Sequence, residues 1–194
     1  MKQKAKSKLA EPTAIYQLKI TLRGVRPPIW RRVQIPGSVT LARLHDVIQM
    51  GMGWSNSHMH CFRVGNRSFS SPYPGVDFKD SGDESESKVR LDQVCQREKT
   101  KLAYDYDFGD GWEHEILVEK IIAPESGVRY PICLAGKRAC PPEDCGGPYG
   151  YMDLLDTLKN PKHENHEEMM DWIGGEWDAE AFDVVEVSSG FAYL

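Results

Sequence analysis

Residues 102–122, LAYDYDFGDGWEHEILVEKII, predict two β-strands joined by a tight turn. Before the turn apolar side chains alternate with polar ones, and after it they alternate again, which is the period of half-buried strands. The apolar positions are Leu102, Tyr104, Tyr106 and Phe108 in the first strand and Trp112, His114, Ile116 and Val118 in the second. The rest of the chain is therefore expected to be organised around a hairpin with one buried face.

The parity of these side chains also predicts how the two strands pair. A two-residue loop of Asp110 and Gly111 is the usual signal of a short hairpin, but it would place Phe108 opposite Glu113 and mix the two faces. A three-residue loop over residues 109–111 keeps the faces separate, because side-chain direction follows register. We expect this loop, with the pairs Phe108–Trp112, Tyr106–His114 and Tyr104–Ile116.

The polar face of this hairpin brings like charges together. In the predicted register Asp107 falls opposite Glu113, and Asp105 falls opposite Glu115. Like charges directly across a strand pair destabilise by up to about 1 kcal/mol. We therefore expect compensation by solvent and a nearby Arg or Lys, by a metal ion or by a basic partner.

Length and composition are those of one globular domain. The chain has 194 residues, of which 40% are hydrophobic and 27% are charged, which is sufficient for one well-buried core. Residues 1–13 are basic with no hydrophobic stretch behind them, which predicts a disordered tail rather than a secretory signal. Residues 14–194 are expected to form a single α+β domain.

Charge, hydropathy and cysteine content limit the kinds of partner and the cellular compartment that we expect for this protein. A net charge of −5 provides no overall basic footprint for nucleic acid. No apolar run approaches the roughly 18 residues of a membrane span. Five cysteines, an odd number, in a chain of this size favour reduced thiols and a cytoplasmic protein. The expected partner is a protein or a small ligand rather than nucleic acid, with no membrane involved.

The N-terminal half predicts a β-β-α-β order. The predicted strands cover residues 16–22, 29–35, 59–64 and 67–70. Between the second and third strands, Thr40 is the expected N-cap of a helix, and Val39 packs onto Leu44 as a hydrophobic staple. Gly51 and Gly53 are expected to end this helix. The order resembles the opening of a β-grasp fold within a mixed or antiparallel sheet.

Two further segments differ in composition. Residues 77–88 belong to a stretch rich in Pro, Gly, Ser, Asp and Glu, which predicts a solvated, mobile acidic loop. Residues 148–194 predict a helical C-terminal part that starts with Pro148 at a helix N1 position. The expected helices cover 149–160 and 163–173, followed by a short helix capped by Asp178 with Phe182 and Val185 facing inward.

The spacing of the histidines and cysteines predicts too few ligands for a complete metal site. His58 and His60 are separated by one residue, so on a strand both imidazoles point the same way and supply two ligands. Cys133, Cys140 and Cys145 lack the CxxC pair of a zinc ribbon, and specific zinc sites usually need three or four ligands. We therefore predict no cofactor, with a divalent metal as the alternative, and expect the cysteines to pack as small apolar groups.

Three long motifs in this order resemble a known family. They are PPIWRRVQIPGSVTLARLHDVIQMGMGW, YDFGDGWEHEI and CPPEDCGGPYGY. The resemblance is to the plasmid ORF-three-like family, first named from a root-inducing plasmid, and it extends from Tyr16 to the C-terminus. It implies a small α+β domain, and the family's insertion-element passenger and TnpR-like members imply an association with mobile genetic elements. A serine resolvase needs a nucleophilic serine among arginines and a basic helix-turn-helix reader, and the sequence offers neither.

The first functional hypothesis is a non-enzymatic binding or adaptor domain. The sequence has no Ser-His-Asp order with motif context, no phosphate-cradling glycine loop and no metalloprotease helix. Aromatic residues dominate binding hot spots, and Trp54, Trp112 and Tyr149 are the candidate anchors of a binding surface.

The second hypothesis is a metal-dependent hydrolase or nuclease-like enzyme, in which a cation activates water. The candidate ligands near one turn are Asp107, Asp110, Glu113 and His114. Glu143 and Asp144 join them if their loop meets the hairpin. The predicted register, however, turns His114 toward the core, as a buried imidazole hydrogen-bonded to residues 141–144 or to a tyrosine.

A third hypothesis is a DNA-associated accessory protein. It needs only a local basic patch, for which the candidates are Arg23, Arg26, Arg31 and Arg32.

Overall fold

The computed structural model describes residues 13–72, 82–175 and 177–194. In this part of the chain eight strands form one sheet. The strands are β1 Ile15–Leu22, β2 Trp30–Pro36, β3 His60–Val64, β4 Arg67–Ser70, β5 Glu84–Ser85, β6 Lys101–Tyr106, β7 Trp112–Ile122 and β8 Ile132–Lys137. The helices are α1 Leu41–Met52, α2 Leu91–Val94, α3 Gly147–Lys159, α4 His166–Trp172 and α5 Val184–Gly190, before a 3₁₀ turn at Phe191–Tyr193.

The sheet is mixed and open. Its strand order is β5-β4-β3-β6-β7-β1-β2-β8. All neighbouring strands run antiparallel except β4 and β5, which are parallel. The α+β class is therefore confirmed. In this sheet β1 lies between β2 and β7 and pairs antiparallel with both, and the β-grasp-like opening is not confirmed.

The hairpin of β6 and β7 has the predicted faces but a different register. Tyr106 pairs with Trp112, and Tyr104 pairs with His114, so the pairing is displaced by two residues from the predicted one. A displacement of two keeps every side chain on its face, since side chains alternate with a period of two. The buried aromatic face was therefore predicted correctly, whereas the three-residue loop was wrong.

The turn covers five residues because it begins at Asp107. This residue adopts a left-handed φ of +54°, and its Oδ1 accepts a hydrogen bond from the N–H of Gly109 at 2.9 Å. An Asp side chain that accepts from the backbone two residues later makes a local turn of its own. Phe108 consequently lies in the turn with 51% of its surface exposed, rather than in the core.

Basic side chains balance the polar face of the hairpin. The displaced register places Asp105 opposite Glu113, and Arg63 of β3 forms an ion pair with Asp105. Glu115 lies within 3.0 Å of Lys101 of the neighbouring strand. The expected compensation by nearby Arg and Lys residues is present.

Helix α1 is capped as predicted. Thr40 Oγ1 accepts a hydrogen bond from the N–H of Arg43 at 3.2 Å. At the other end Gly53, with a φ of +91°, donates its N–H to the carbonyl oxygen of Gln49. The helix buries one stripe, including Leu44, against the sheet, and these contacts position the loop that follows Gly53.

Replacing Thr40 with alanine is expected to lower the free energy of unfolding by about 1 kcal/mol, because the N–H of Arg43 loses its acceptor. Urea denaturation of both proteins measures this difference. Thr40→Ser retains the hydroxyl oxygen and should stay within about 0.5 kcal/mol of the parent. If Thr40→Ala and Thr40→Ser have the same stability, the cap bond contributes nothing.

Part of the predicted acidic loop packs against the sheet. Residues 77–81 lie outside the described residues, but β5 pairs with β4. Glu86 is only 4% exposed, and its Oε2 lies 2.8 Å from Nε2 of His60. Within residues 82–88, Glu86 is therefore packed into the fold, because a buried histidine provides a partner for its carboxylate, whereas residues 82, 84, 87 and 88 are exposed.

The C-terminal part is helical, as predicted, but its last helix begins later. Asp183 caps α5, and its Oδ1 accepts a hydrogen bond from the N–H of Val185 at 2.7 Å. The predicted cap at Asp178 was wrong, and Val185 is 68% exposed rather than inward. Strand β8 was missed, because its sequence ICLAGK does not alternate clearly. No helix in the described ranges has both the length and the apolar character needed to cross a membrane.

Candidate functional site

Three separate segments meet at one end of the central hairpin. They are residues 54–58 after α1, the turn 107–111 and the loop 140–147, and together they are called the loop junction below. The indole N–H of Trp54 donates to the carbonyl oxygen of Pro141 at 3.0 Å. The N–H of Gly146 donates to Oδ2 of Asp110 at 3.2 Å. The cysteine-containing loop therefore meets the hairpin, which the sequence left open.

Three potential metal ligands converge at the loop junction. Nδ1 of His58 lies 3.7 Å from Oδ2 of Asp107, and Nε2 of the same ring lies 3.3 Å from Oδ1 of Asp144. One ligand atom from each residue lies within 4.8 Å of the other two. This His–Asp–Asp cluster unites one of the predicted metal candidates with two of the predicted binding candidates.

The backbone of the cluster is held in unusual conformations. Asp107 and Asp144 have positive φ angles of +54° and +60°, and Asn56, two residues before the histidine, has a φ of +59°. Such conformations are disfavoured for residues with a Cβ and tend to be concentrated at functional sites. One oxygen of Asp107 is used by the turn, so the other oxygen is directed at His58.

Glu143 joins the segments of the loop junction without entering the cluster. Its carboxylate accepts hydrogen bonds from the hydroxyl groups of Ser55 and Tyr106 and from the N–H of Ser55 at 3.2 Å. Burial raises the pKa of Glu143, but the hydrogen bonds from Ser55 and Tyr106 outweigh it and hold the pKa below its ordinary value. Glu143 is therefore a charged cross-link between the loop and the hairpin.

A buried polar network supports the segment that carries His58. Nε2 of His45 lies 2.7 Å from Oδ1 of Asn56, which can only accept, so this nitrogen carries the proton. Nδ1 of His45 then accepts from the hydroxyl of Tyr104 at 2.8 Å. Gln49 donates to that hydroxyl at 2.9 Å and accepts from the N–H of Asn56 at 3.0 Å. Residues of α1 and β6 thus fix Asn56 beneath the cluster.

His58 and His60 do not form a joint site. His58 precedes β3, whereas His60 is the first residue of that strand and is buried. The ring of His60 stacks on His45 with centroids 3.5 Å apart, and its Nε2 faces Glu86. The two imidazoles do not share a face as predicted, because side chains alternate regularly only within a strand and His58 lies before the start of β3.

His114 is buried, as predicted, but its partners are backbone carbonyls. Its Nδ1 lies 3.2 Å from the carbonyl oxygen of Tyr104 and 3.1 Å from that of Trp112, so Nδ1 carries the proton. Nε2 has no hydrogen-bond partner among the described residues. Burial lowers the pKa of His114 to about 4. Of the two predicted partners, residues 141–144 are not bonded to His114, whereas a tyrosine is, through the backbone carbonyl oxygen of Tyr104. His114 is not part of the cluster.

The three candidate cysteines do not form a metal site with the other described residues. Cys133 lies on β8, and its thiol contacts the carbonyl oxygen of Ala135 at 3.7 Å. Burial raises the pKa of Cys140, and burial raises the pKa of Cys145 to about 12. Neutral thiols of this kind match the prediction that the cysteines pack as apolar groups.

Two of the three candidate aromatic anchors and one arginine of the candidate basic patch are buried. Trp112 is fully buried and Trp54 is 7% exposed, so of the three aromatic anchors only Tyr149 is at the surface. Arg31 is 3% exposed, and Arg32 pairs with Glu119. Two arginines of the proposed DNA patch are therefore engaged within the fold.

A cavity adjoins the His–Asp–Asp cluster. It has a volume of about 270 Å³ and lies between the loop junction and helices α3 and α4. Its lining includes Asp144, Cys145, Asp153, Leu154, Met169 and Trp172. The sequence did not indicate that α4 lines this cavity, or that Ser55, Asn56 and Tyr106 support the loop junction, because none of them belongs to a metal or catalytic motif.

Comparisons with known proteins identify a family, one similar protein and one similar solved structure. The family model described as plasmid pRiA4b ORF-3-like protein matches residues 14–186. The uncharacterized protein y4hQ of Sinorhizobium fredii is 39% identical over 161 residues, which cover 83% of this chain and 81% of the relative. The crystal structure of MM3350 from Methanosarcina mazei Go1, described as a protein of unknown function, is 37% identical with a TM-score of 0.83, covering 91% of this chain and 99% of that one.

Proposed function

This chain belongs to the plasmid pRiA4b ORF-3-like family, and on that premise we propose that it is a non-enzymatic binding domain that recognises its ligand through a divalent cation at the His–Asp–Asp cluster. The convergence of His58, Asp107 and Asp144 from three distant segments carries this proposal. An association with mobile genetic elements, implied by the plasmid origin of the family name, forms part of the proposal.

The spacing of the cluster suits a cation such as Zn²⁺ or Mn²⁺. Ligand bonds of about 2.1 Å at tetrahedral angles place neighbouring ligand atoms roughly 3.4 Å apart. With one atom per residue, the three ligand atoms of the cluster lie within 4.8 Å of one another, so a small movement of the side chains brings them to this spacing. The distances of 3.3 Å and 3.7 Å belong to the two different nitrogens of the His58 ring. One imidazole and two carboxylates leave at least one coordination position open, which a ligand from the adjoining cavity would fill.

The ring nitrogens of His58 face one carboxylate each, Nδ1 toward Asp107 and Nε2 toward Asp144. A metal ligand must be the neutral imidazole and uses a single nitrogen. Cation binding would therefore replace one of the two contacts between the ring and the carboxylates.

The surroundings of the cluster favour binding over catalysis. A hydrolase needs a free base or acid beside the metal-bound water. Glu143, the carboxylate next to Asp144, is occupied by hydrogen bonds from Ser55 and Tyr106. Apolar side chains of the adjoining cavity, among them Met169, would instead contact the body of a bound ligand.

Calorimetric titration of the metal-free chain with Mn²⁺ and Zn²⁺ tests the proposal. We expect about one cation per chain with a dissociation constant near 10 µM, and at least tenfold weaker binding for Asp144→Asn. Asp144 is largely exposed, so this change should leave the fold intact. Asp107→Asn should also weaken binding while its side-chain oxygen retains the turn.

Asp153→Asn is the matched control, because it removes the same charge from the cavity lining but not from the cluster. It should bind the cation like the parent chain. Unchanged affinity in Asp144→Asn, or no binding by the parent chain, would mean that His58 only links two carboxylates and that the proposed function is wrong.

A metal-dependent hydrolase is the second candidate function, favoured by the open coordination position alone. Its signature would be hydrolysis of an activated phosphodiester by the cation-loaded chain that Asp144→Asn abolishes. Cation binding without such hydrolysis would support the proposed binding domain. Hydrolysis that Asp144→Asn abolishes would show instead that the protein is an enzyme.

A further inference from the structure

Arg31 is a buried cation that has no carboxylate partner among the described residues. It extends from β2 into the core face, and 3% of its surface is exposed. Its Nε donates to the carbonyl oxygen of Gly51 at 2.7 Å. Its Nη1 donates to the carbonyl oxygens of Trp30 at 2.9 Å and Lys137 at 3.1 Å. Three of its five N–H groups are therefore satisfied by uncharged oxygens.

The remaining nitrogen, Nη2, makes no hydrogen bond to the described residues, although the guanidinium carries a full charge. Gly51 belongs to the last turn of α1, where the negative end of the helix dipole compensates part of that charge. Arg138 is also 3% exposed, but its charge is compensated by an ion pair with Glu180, with a nitrogen-to-oxygen distance of 2.7 Å. Buried charges are normally paired, so Arg31 lacks a counter-ion that Arg138 has.

Arg31 lines a cavity that can hold such a counter-ion. This cavity has a volume of about 640 Å³, within the range of small-molecule sites. It lies between the end of α1, residues 139–140 and α5. Met50, Met52 and Val187 supply apolar walls, and the ring of Phe182 covers the guanidinium at 4.5 Å.

We propose that this cavity, called the Arg31 cavity, binds a small monocarboxylate with an apolar body, whose carboxylate accepts hydrogen bonds from Nη2 of Arg31. A charge-assisted bond of this kind is among the stronger hydrogen bonds in proteins. Asp183 and Glu186 also belong to the lining, and their negative charges disfavour a multiply charged anion such as phosphate. The site does not depend on the His–Asp–Asp cluster or on the function proposed for it.

Calorimetric titration with hexanoate, together with its neutral analogue hexanamide, tests the proposal. We expect hexanoate to bind, and hexanamide to bind at least about tenfold more weakly because it lacks the charge. Arg31→Gln should weaken hexanoate binding by a similar factor. Arg32→Gln is the matched control, since Arg32 is the next residue but pairs with Glu119, and it should bind hexanoate like the parent chain.

Arg31→Gln also removes the hydrogen bonds by which Arg31 joins α1 to β8, so weaker binding in this variant could reflect misfolding. A second variant therefore leaves Arg31 in place. Ala181 lines the cavity and is exposed, and Ala181→Trp should fill the opening and block hexanoate without disturbing Arg31. Equal affinities for hexanoate and hexanamide, tighter binding of inorganic phosphate than of hexanoate, or unchanged binding in both variants would each overturn the proposal. Failure of hexanoate to bind the parent chain would overturn it as well, whatever the result of the cation titration.

Discussion

Replacing Gly147 with alanine is expected to lower the free energy of unfolding by about 2–5 kcal/mol and to open the loop junction. Gly147 has a φ of +69°, and a Cβ there would collide with the backbone carbonyl oxygen of Asp110, with the carbonyl carbon only 3.1 Å away. Because the obstacle is backbone, the segment 140–147 must move away from the turn. Urea denaturation measures the loss of stability, and the cation titration measures the loss of the cluster.

Gly111→Ala separates the collision from the backbone strain. Gly111 has the same φ of +69°, but nothing within 4 Å would meet its Cβ. This variant should lose only about 1–2 kcal/mol, the cost of a left-handed residue with a Cβ. It should also retain more cation affinity than Gly147→Ala. Equal losses in the two variants would show that the close approach of Gly147 to Asp110 does not hold the junction together.

Lowering the pH from 7 to 4.5 is expected to remove about 2–3 kcal/mol of stability for each of two buried histidines. Burial lowers the pKa of both His45 and His114 from 6.5 to about 4. The unfolded chain therefore binds a proton at each position near pH 6.5, and the folded chain does so only near pH 4. Since stability rises with pH wherever the unfolded chain binds more protons, this contribution is complete above pH 6.5 and is lost as the pH falls.

The surroundings of His45 oppose its protonation. Burial is the main cause, and the stacked ring of His60 adds to it. Asn56, Glu86 and Asp46 favour the charged form but do not outweigh burial. A second proton on His45 would also remove the acceptor that the hydroxyl of Tyr104 uses. The neutral ring is thus part of the network beneath the loop junction.

Urea denaturation across this pH range measures the effect. His114→Gln should reduce the slope of stability against pH by about 1.2 kcal/mol per pH unit between pH 6 and 5, even if the variant is less stable throughout. A slope that His114→Gln does not alter would mean that His114 titrates alike in the folded and unfolded chains.

Local sequence patterns were sufficient to predict the strands of the hairpin, their buried faces and the first helix. These features depend on the periodicity of apolar side chains and on helix caps, and both involve only residues that are close in sequence. The apolar parity of residues 102–122 survived even though the register was displaced, because a shift of two residues preserves the faces. Thr40 and Gly53 marked the ends of α1 for the same local reason.

Contacts between residues that are distant in sequence could be seen only in the folded chain. His58, Asp107 and Asp144 are far apart in sequence. Hydrogen bonds between segments hold their loops, as from the N–H of Ser55 to Glu143 and from the N–H of Asp107 to the carbonyl oxygen of Met59. Glu86 and Arg31 looked like surface charges, yet the fold buries both, beside a histidine and beside backbone carbonyls. Periodicity contains no information about such long-range partners, because the free energy of a buried charge depends on the groups that surround it after folding.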